Sequence, residues 1–190
     1  MVRRRRAGPG DPRVSLGERV VEELARKRRT RVLRHLKGRL LDIGCGDNRL
    51  VREHGDGIGV DVVDWGDVDL VVEDTAQLPF EDGSFDSVTF VACLNHIPNR
   101  EEVLDEARRL LRSDGRLIAT MIPPNLSAVW HRIIHPWDPD QHGRELHEGE
   151  VWGITNEEMI RMLGRHRFRL VAHERFVFRL NNLFVAVPAD

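Results

Sequence analysis

Two glycines and two acids hold the positions of this chain whose types and spacing most clearly indicate chemistry. Gly44 and Gly46 follow an apolar run that ends at Ile43, and glycine there permits a tight strand-to-helix turn with a ligand close to the backbone. Asp61 closes the next apolar run, and a carboxylate at the end of a second parallel strand can accept hydrogen bonds from both hydroxyls of a ribose. Asp74 follows a third apolar run. This order predicts a site for a nucleotide-like ligand.

The spacing of the glycine loop argues against a dinucleotide. That fingerprint needs a further glycine three residues after Gly46, and this chain has Arg49 there. If Asp61 is a surface acid on a turn instead of the ribose residue, Asp64 is the alternative candidate.

The motifs resemble those of class I S-adenosylmethionine-dependent methyltransferases. The run 42–46 resembles the first motif of that class, in which the third glycine is often relaxed, and Asn48 stands in that place as a residue that tolerates left-handed backbone. Residues 73–86 resemble the acid-x-x-x-Leu-Pro-Phe run and the Phe-Asp strand start that follows it. Residues 106–115 resemble a Glu-x-x-Arg-x-Leu-x-Pro-Gly-Gly run, with Ser113-Asp114 replacing Pro-Gly. The resemblance covers about residues 39–122 and is closest to quinone-biosynthesis C-methyltransferases.

The resemblance implies S-adenosylmethionine as the cofactor and assigns roles to matching positions. Asp74 would accept a hydrogen bond from the adenine amino group, and the backbone N–H of Thr75 would meet the ring. Leu78 and Phe80 are expected in the core, and Asp86 is expected to be a structural acid. The implied cofactor-binding residues are Asp42, Gly44, Cys45, Gly46, Asp61, Val62, Asp74, Thr75 and Cys93.

His96 is the candidate general base. It lies in Leu94-Asn95-His96-Ile97-Pro98, after the fourth apolar run, and histidine titrates near neutral pH. Methyl transfer is an in-line displacement that gains much of its rate from alignment of the reacting atoms, so a base is needed only when the acceptor loses a proton. The alternative is a histidine that packs or hydrogen-bonds beneath the cofactor.

A tryptophan- and histidine-rich segment, residues 123–155, is predicted to cap the working edge of the sheet. His131 and His135 would share one helix face, with acids close behind, which makes a metal site a second interpretation. Their spacing matches no ligand motif, so no metal is expected; surface histidines without a role are a third interpretation. The residues predicted to line an acceptor pocket are Trp130, His131, His135, Trp137, His142 and Trp152.

The acceptor is expected to be a small organic molecule. The segment after the fourth strand lacks the Asp/Asn-Pro-Pro-aromatic loop of nucleic-acid amine methylation, and Cys93 follows Ala92 instead of the proline that cytosine C5 chemistry would want. Residues 1–37 hold thirteen Lys or Arg against four acids, a net charge of +9, and the remainder holds sixteen against twenty-seven, or −11. An RNA or protein methyltransferase with a basic arm is therefore the alternative, and a cofactor-binding protein without turnover is another. The arginines lack interleaved aromatics on which bases could stack.

Placing these residues at one edge requires a parallel sheet. Helical spacing predicts helices at 15–36, with the charged run 26–31 as a candidate interruption, from about Asn99 to Asp114-Gly115, and from Thr155, which forms a capping box with Glu158. Short apolar runs predict strands buried on both faces, and two later runs predict a closing antiparallel hairpin. The predicted strands are 39–43, 57–61, 68–72, 85–91, 116–121, 168–176 and 182–187.

These elements predict a single α/β domain with a doubly wound, Rossmann-like seven-stranded sheet, mainly parallel with one antiparallel strand and helices on both faces. Cys45 and Cys93 lack partners at metal or redox spacing, and neither a signal peptide nor an apolar span of about 20 residues is found, so a cytoplasmic protein is expected. The oligomeric state is left open. The predicted parts are a flexible basic tail (1–14), an N-terminal helix (15–36), the cofactor-binding core (37–122), the cap (123–155) and a closing helix with a β-hairpin (156–190).

Overall fold

The computed structural model describes residues 15–122, 151, 153–177 and 181–190. Its helices are α1 (Leu16–Leu33), α2 (Arg49–His54), α3 (Arg100–Leu110) and α4 (Asn156–Arg165), and a single 3-10 turn lies at Leu94–His96. Its strands are β1 (Leu40–Ile43), β2 (Gly57–Asp61), β3 (Leu70–Val71), β4 (Phe85–Val91), β5 (Leu111–Met121), β6 (Phe168–Phe176) and β7 (Asn181–Pro188).

The strands form one seven-stranded sheet in the order β3-β2-β1-β4-β5-β7-β6. The pairs from β3 through β5 are parallel, whereas β7 runs antiparallel to both of its neighbours, β5 and β6. The predicted mixed sheet with one antiparallel strand is thus confirmed. The chain leaves β1 toward β2 and β3 on one side and places β4 on the other, so a crevice opens at the carboxyl ends of β1 and β4, where ligands bind in folds of this kind.

Helices cover both faces of the sheet because successive strand residues point to opposite sides. On β1, Leu41 and Ile43 join the cluster that contains buried residues of α3 and α4. Leu40 points to the other face of the sheet, where it joins a second cluster with Val32 of α1 and Leu50 of α2. Strands buried on both faces explain why the sequence shows continuous apolar runs there instead of alternation.

The predicted helix starts are confirmed, and the candidate interruption of the first helix is not found. Helix α1 runs through its charged stretch without interruption, where Arg26 donates to Glu23 at 2.8 Å. Helix α4 begins at the predicted cap, where Thr155 Oγ1 accepts a hydrogen bond from the Glu158 backbone N–H at 3.1 Å.

The third helix ends earlier than predicted. It stops at Leu110, and Leu111 already belongs to β5, where it pairs with Phe85 and is 2% exposed. Burial of Leu111 in the sheet outweighs continuation of the helix toward Gly115.

No helix in the described residues combines the length and apolar character needed to cross a membrane.

Candidate cofactor site

The loop after β1 and the loop after β4 are in close contact at the crevice between these strands. Gly44 has φ +72°, and a Cβ on it would lie 2.8 Å from both Cβ and Sγ of Cys93. The Cys93 thiol donates to the backbone oxygen of Ile43 at 3.0 Å. Gly44 therefore meets two requirements at once, a left-handed backbone and the absence of a side chain. Burial raises the pKa of Cys93 and of Cys45 far above the ordinary thiol range, so neither is a thiolate at neutral pH.

Asp61 is bound to the glycine loop. Its Oδ2 accepts a hydrogen bond from the Gly46 N–H at 2.9 Å, and its Oδ1 accepts one from the Val63 N–H at 3.0 Å. Its burial (8% exposed) and these bonds fix the carboxylate, while each oxygen keeps a second lone pair for a ligand hydroxyl. A Cβ on Gly46 would meet no atom within 4 Å, so the backbone there faces open space that a ligand can occupy.

Asn48 stands in the place of a loop glycine, and its side chain adds hydrogen bonds that a glycine could not make. It adopts φ 57° and ψ 23°, as the sequence predicted for a residue tolerant of left-handed backbone. Its Nδ2 donates to the backbone oxygen of Asp67 and to Asp69 Oδ2, both at 2.9 Å. Its carboxamide lies against Gly59, where a Cβ would overlap Asn48 Oδ1. Asn48 thus ties the cofactor loop to the segment that leads into β3.

Asp42 is a buried acid beneath the same loop. It is 2% exposed, and the Thr89 hydroxyl donates to its Oδ1 at 2.5 Å. Burial raises the pKa of Asp42 to about 7; the Thr89 hydrogen bond opposes this rise and the Asp61 charge adds to it. The charge of Asp42 therefore changes near neutral pH and responds to any cation placed above it.

Asp74 and Thr75 lie in the loop that follows β3. Asp74 is exposed, and its Oδ1 accepts hydrogen bonds from the Ala76 N–H at 2.8 Å and from Asn99 Nδ2 at 2.9 Å. Thr75 is buried, with 5% exposure. The two predicted adenine residues thus lie beside a loop that follows β4.

An ion pair with one buried member, Glu106, holds the run that follows Asp74. Glu106 Oε1 accepts a hydrogen bond from the Leu78 N–H at 2.8 Å, and Arg109 donates to both Glu106 oxygens at 2.7 and 2.8 Å. Arg109 also donates to the backbone oxygens of Phe80 at 2.9 Å and Leu78 at 3.2 Å. The Glu-x-x-Arg spacing was visible in the sequence, but its partners were not. Leu78 is buried, and Phe80 packs against the core, as predicted.

The turn after β4 carries the candidate base. Ala92 has φ +58°, a left-handed conformation that is uncommon for a residue with a Cβ and that sharply turns the chain out of the sheet. Asn95 Nδ2 lies 3.1 Å from His96 Nε2, so the two side chains form a hydrogen bond in the tautomer that leaves Nε2 unprotonated. The backbone oxygen of Asn95 accepts a hydrogen bond from the Val151 N–H at 3.0 Å.

The remaining predicted residues fall into three groups. Val62 is 49% exposed and directly follows Asp61. Asp86 accepts a hydrogen bond from the Arg39 N–H at 2.9 Å near the start of β4, at the opposite edge of the sheet, in agreement with a structural role. All six predicted acceptor-pocket residues lie outside the described residues: Trp130, His131, His135, Trp137, His142 and Trp152.

The donors and acceptors in the crevice fit S-adenosylmethionine. Open space lies at Gly46, a fixed carboxylate with spare lone pairs lies at Asp61, and a second carboxylate lies at Asp74. These acceptors suit ribose hydroxyls and an adenine amino group. Asp61, and Asp42 when it is ionised, place negative charge at the crevice, which suits a sulfonium and an ammonium group.

Comparison with known proteins agrees with this fit. Residues 41–119 match the family model described as a methyltransferase domain. The demethylmenaquinone methyltransferase of Thermotoga maritima is 29% identical over 133 residues, which cover 63% of this chain and 58% of the relative. The 27-O-demethylrifamycin SV methyltransferase of Amycolatopsis mediterranei is 37% identical over 145 residues, which cover 63% of this chain and 50% of the relative.

A solved structure shares the fold. It is the Burkholderia thailandensis 1,6-didemethyltoxoflavin-N1-methyltransferase with bound 1,6-didemethyltoxoflavin and S-adenosylhomocysteine, which matches with a TM-score of 0.66 at 22% identity, over 90% of this chain and 80% of that one. The chain spans about half the length of the curated relatives it matches. In its sheet order, its crevice and these matches, the chain is similar to the class I methyltransferases that use S-adenosylmethionine as their cofactor.

Proposed function

We propose that this chain transfers a methyl group from S-adenosylmethionine to a small organic molecule, at an oxygen, carbon or nitrogen atom. The observation that carries the proposal is the joining of successive strand ends at one crevice, through the Gly46 N–H to Asp61 and the Cys93 thiol to the Ile43 oxygen. The relatives support the acceptor class, because their names give a quinone precursor, a rifamycin and a toxoflavin precursor as methylated molecules.

The chain's own residues bind and orient the two reactants. The bound cofactor supplies an electrophilic methyl group on a sulfonium. The Asp61 carboxylate accepts hydrogen bonds from the ribose hydroxyls. Because the backbone N–H groups of Gly46 and Val63 already hold this carboxylate, little side-chain entropy is lost on binding. The loops at Gly44 and Asn48, which hydrogen bonds hold in place, would position the bound methyl donor, and alignment of the reacting atoms is a main source of rate in an in-line displacement.

His96 is the proposed proton acceptor for acceptors that must lose a proton. In the neutral tautomer with its proton on Nδ1, His96 would accept from Asn95 Nδ2 through Nε2, the nitrogen that would also take the substrate proton. To receive a substrate proton, Nε2 exchanges the Asn95 amide for the substrate hydroxyl. The alternative, a histidine held by Asn95 for packing alone, predicts no change in the pH profile when His96 is replaced.

The basic N-terminal helix gives less support to an RNA target. Along α1, Arg29 donates to Glu53 at 3.1 Å and Arg31 donates to Glu174 at 3.0 Å. Arg28 donates to Asn181 at 3.1 Å. These cations fasten the helix to the rest of the fold, and a guanidinium that is engaged in this way is a weaker phosphate ligand. The tail, residues 1–14, lies outside the described residues.

Calorimetric titration with S-adenosylmethionine, S-adenosylhomocysteine and NAD tests the cofactor half of the proposal. The two sulfur compounds are expected to bind and NAD is not. Asp61→Ala should weaken binding at least tenfold, because two hydrogen bonds to a charged group are lost. Asp64→Ala is the matched control, since the Asp64 side chain is exposed and its Oδ1 accepts from Gly66 N–H within its own turn at 2.8 Å. Binding of NAD, or equal loss in both variants, would contradict the assignment.

Formation of S-adenosylhomocysteine with a panel of acceptors tests the transfer half. Phenols, hydroxyquinones, amines and activated carbon acids are expected to give product where RNA and protein extracts do not. An RNA target predicts the reverse, with affinity that falls steeply with salt and is lost when residues 1–14 are deleted. Tight cofactor binding without product from any acceptor would instead indicate a binding protein without turnover.

A further inference from the structure

We propose that Asn99 is a positioning residue that holds the Asp74 carboxylate for recognition of the adenine amino group. The inference rests on the proposed function, since it requires Asp74 to face the purine. The observation behind it is a hydrogen bond between two loops, in which Asn99 Nδ2 donates to Asp74 Oδ1 at 2.9 Å.

Asn99 stands at the N-cap position of α3 without capping it. An asparagine there normally accepts a hydrogen bond from a backbone N–H of the first helical turn. The Asn99 side chain makes no such bond, although its backbone oxygen accepts from the Val103 N–H at 3.1 Å and starts the helix. At the start of α4, by contrast, Thr155 does cap its helix. The Asn99 side chain is therefore bound to the loop that follows β3 instead of capping its own helix.

The bond to Asn99 leaves one defined acceptor on Asp74. The Ala76 N–H donates to the same Oδ1 at 2.8 Å, so both hydrogen bonds that the described residues make to this carboxylate end on one oxygen. Two donors on Oδ1 restrain the carboxylate and leave the lone pairs of Oδ2 for an external donor. Asp74 is exposed, so without Asn99 only a bond within its own loop would hold it.

The same bond couples two sides of the site. Asp74 follows β3, whereas Asn99 follows the 3-10 turn that contains His96. A change at Asn99 is therefore expected to alter purine recognition more than it alters the overall fold.

Purine selectivity tests this role with a readout that a purely structural residue would not move. S-Adenosylhomocysteine carries an amino group at C6 of the purine, whereas S-inosylhomocysteine carries a carbonyl oxygen that would face the Asp74 acceptor. A site built around a hydrogen bond to an amino group rejects an analogue that lacks it. In calorimetric titrations, wild type is expected to prefer the adenosine compound, and Asn99→Ala should lower the ratio of the two affinities about three- to tenfold.

Two further variants make the result decisive. Asn99→Ser keeps a side chain that can cap α3 but cannot reach Asp74, so it should fold and still lose selectivity. Thr155→Ala removes a helix cap elsewhere and should lower the melting temperature while leaving the affinity ratio unchanged. Asp74→Ala should lower the ratio at least as much as Asn99→Ala, and adding Asn99→Ala to it should change nothing more.

The outcomes separate this inference from the proposed function. Equal weakening of both ligands by Asn99→Ser, or an unchanged ratio, would overturn the positioning role. Failure of wild type to bind S-adenosylhomocysteine would overturn the proposed function itself.

Discussion

Removing the charge of Arg109 should destabilise the fold by leaving Glu106 as a buried, unpaired carboxylate. The Glu106 side chain is 8% exposed and the Arg109 side chain is 34% exposed, so the pair is only partly shielded from water. Breaking a fully buried pair costs about 3–5 kcal/mol, and the exposure of Arg109 places the expected loss at the lower end, about 2–3 kcal/mol. Arg109→Met is the suitable change, because methionine keeps the apolar stem.

A second substitution should rescue the first. In Glu106→Gln the amide oxygen still accepts from the Leu78 N–H, and no charge remains buried. The double variant should therefore recover at least about 1 kcal/mol relative to Arg109→Met, because replacing both members of a buried pair is far cheaper than removing one. Urea unfolding followed by circular dichroism, with linear extrapolation, gives these free energies.

The chain supplies a matched control for this cycle. Glu158 and Arg161 have the same residue types and the same three-residue spacing on α4, with a contact of 2.7 Å, but their side chains are 37% and 67% exposed. Arg161→Met is expected to change stability by less than about 1 kcal/mol. Additive losses in the Glu106–Arg109 cycle, or an equal loss from Arg161→Met, would refute the reasoning that burial gives this pair its energy.

Three further perturbations have expected directions. Affinity for S-adenosylmethionine should rise with pH through about 7 as Asp42 ionises, by no more than about tenfold per pH unit; calorimetry at pH 6 and pH 8 should show this rise in wild type and not in Asp42→Asn. Gly59→Ala should cost about 1–3 kcal/mol because its Cβ would overlap Asn48, whereas Gly164→Ala, in open space on α4, should be neutral or stabilising in the same melts. Burial lowers the pKa of His166, but hydrogen bonds to Asp105 and Glu101 outweigh it and raise the pKa above 6.5. The stability from His166 is thus complete below pH 6.5 and is lost as pH rises through the raised value, and His166→Gln should remove that slope from urea titrations.

The sequence predicted the sheet and the main acids of the site because both depend on local signals. Continuous apolar runs identified buried parallel strands, and Asp61 could be chosen as a candidate because it ends one of them. Asn48 was predicted to accept a left-handed backbone from its residue type alone, and it does.

Other features escaped because they depend on contacts distant along the chain. Nothing local distinguishes an Asn99 that caps its helix from one that reaches Asp74, twenty-five residues earlier. The left-handed Ala92 has no sequence signal, since alanine has no preference for a positive φ and the turn out of the sheet imposes that conformation. The end of α3 was misplaced because pairing of Leu111 with Phe85 overrides its helical pattern.

The place of β7 in the sheet constrains how this protein forms. The last strand in the chain lies between β5 and β6, both of which precede it, so neither has its final neighbour until residues 181–188 have emerged from the ribosome. During synthesis, β1 to β5 can assemble as a parallel unit with its cofactor loops in place, while the edge of β5 stays unpaired. An unpaired edge attracts other strands, so truncation before Asn181 should cause aggregation of nascent chains and not merely lower stability.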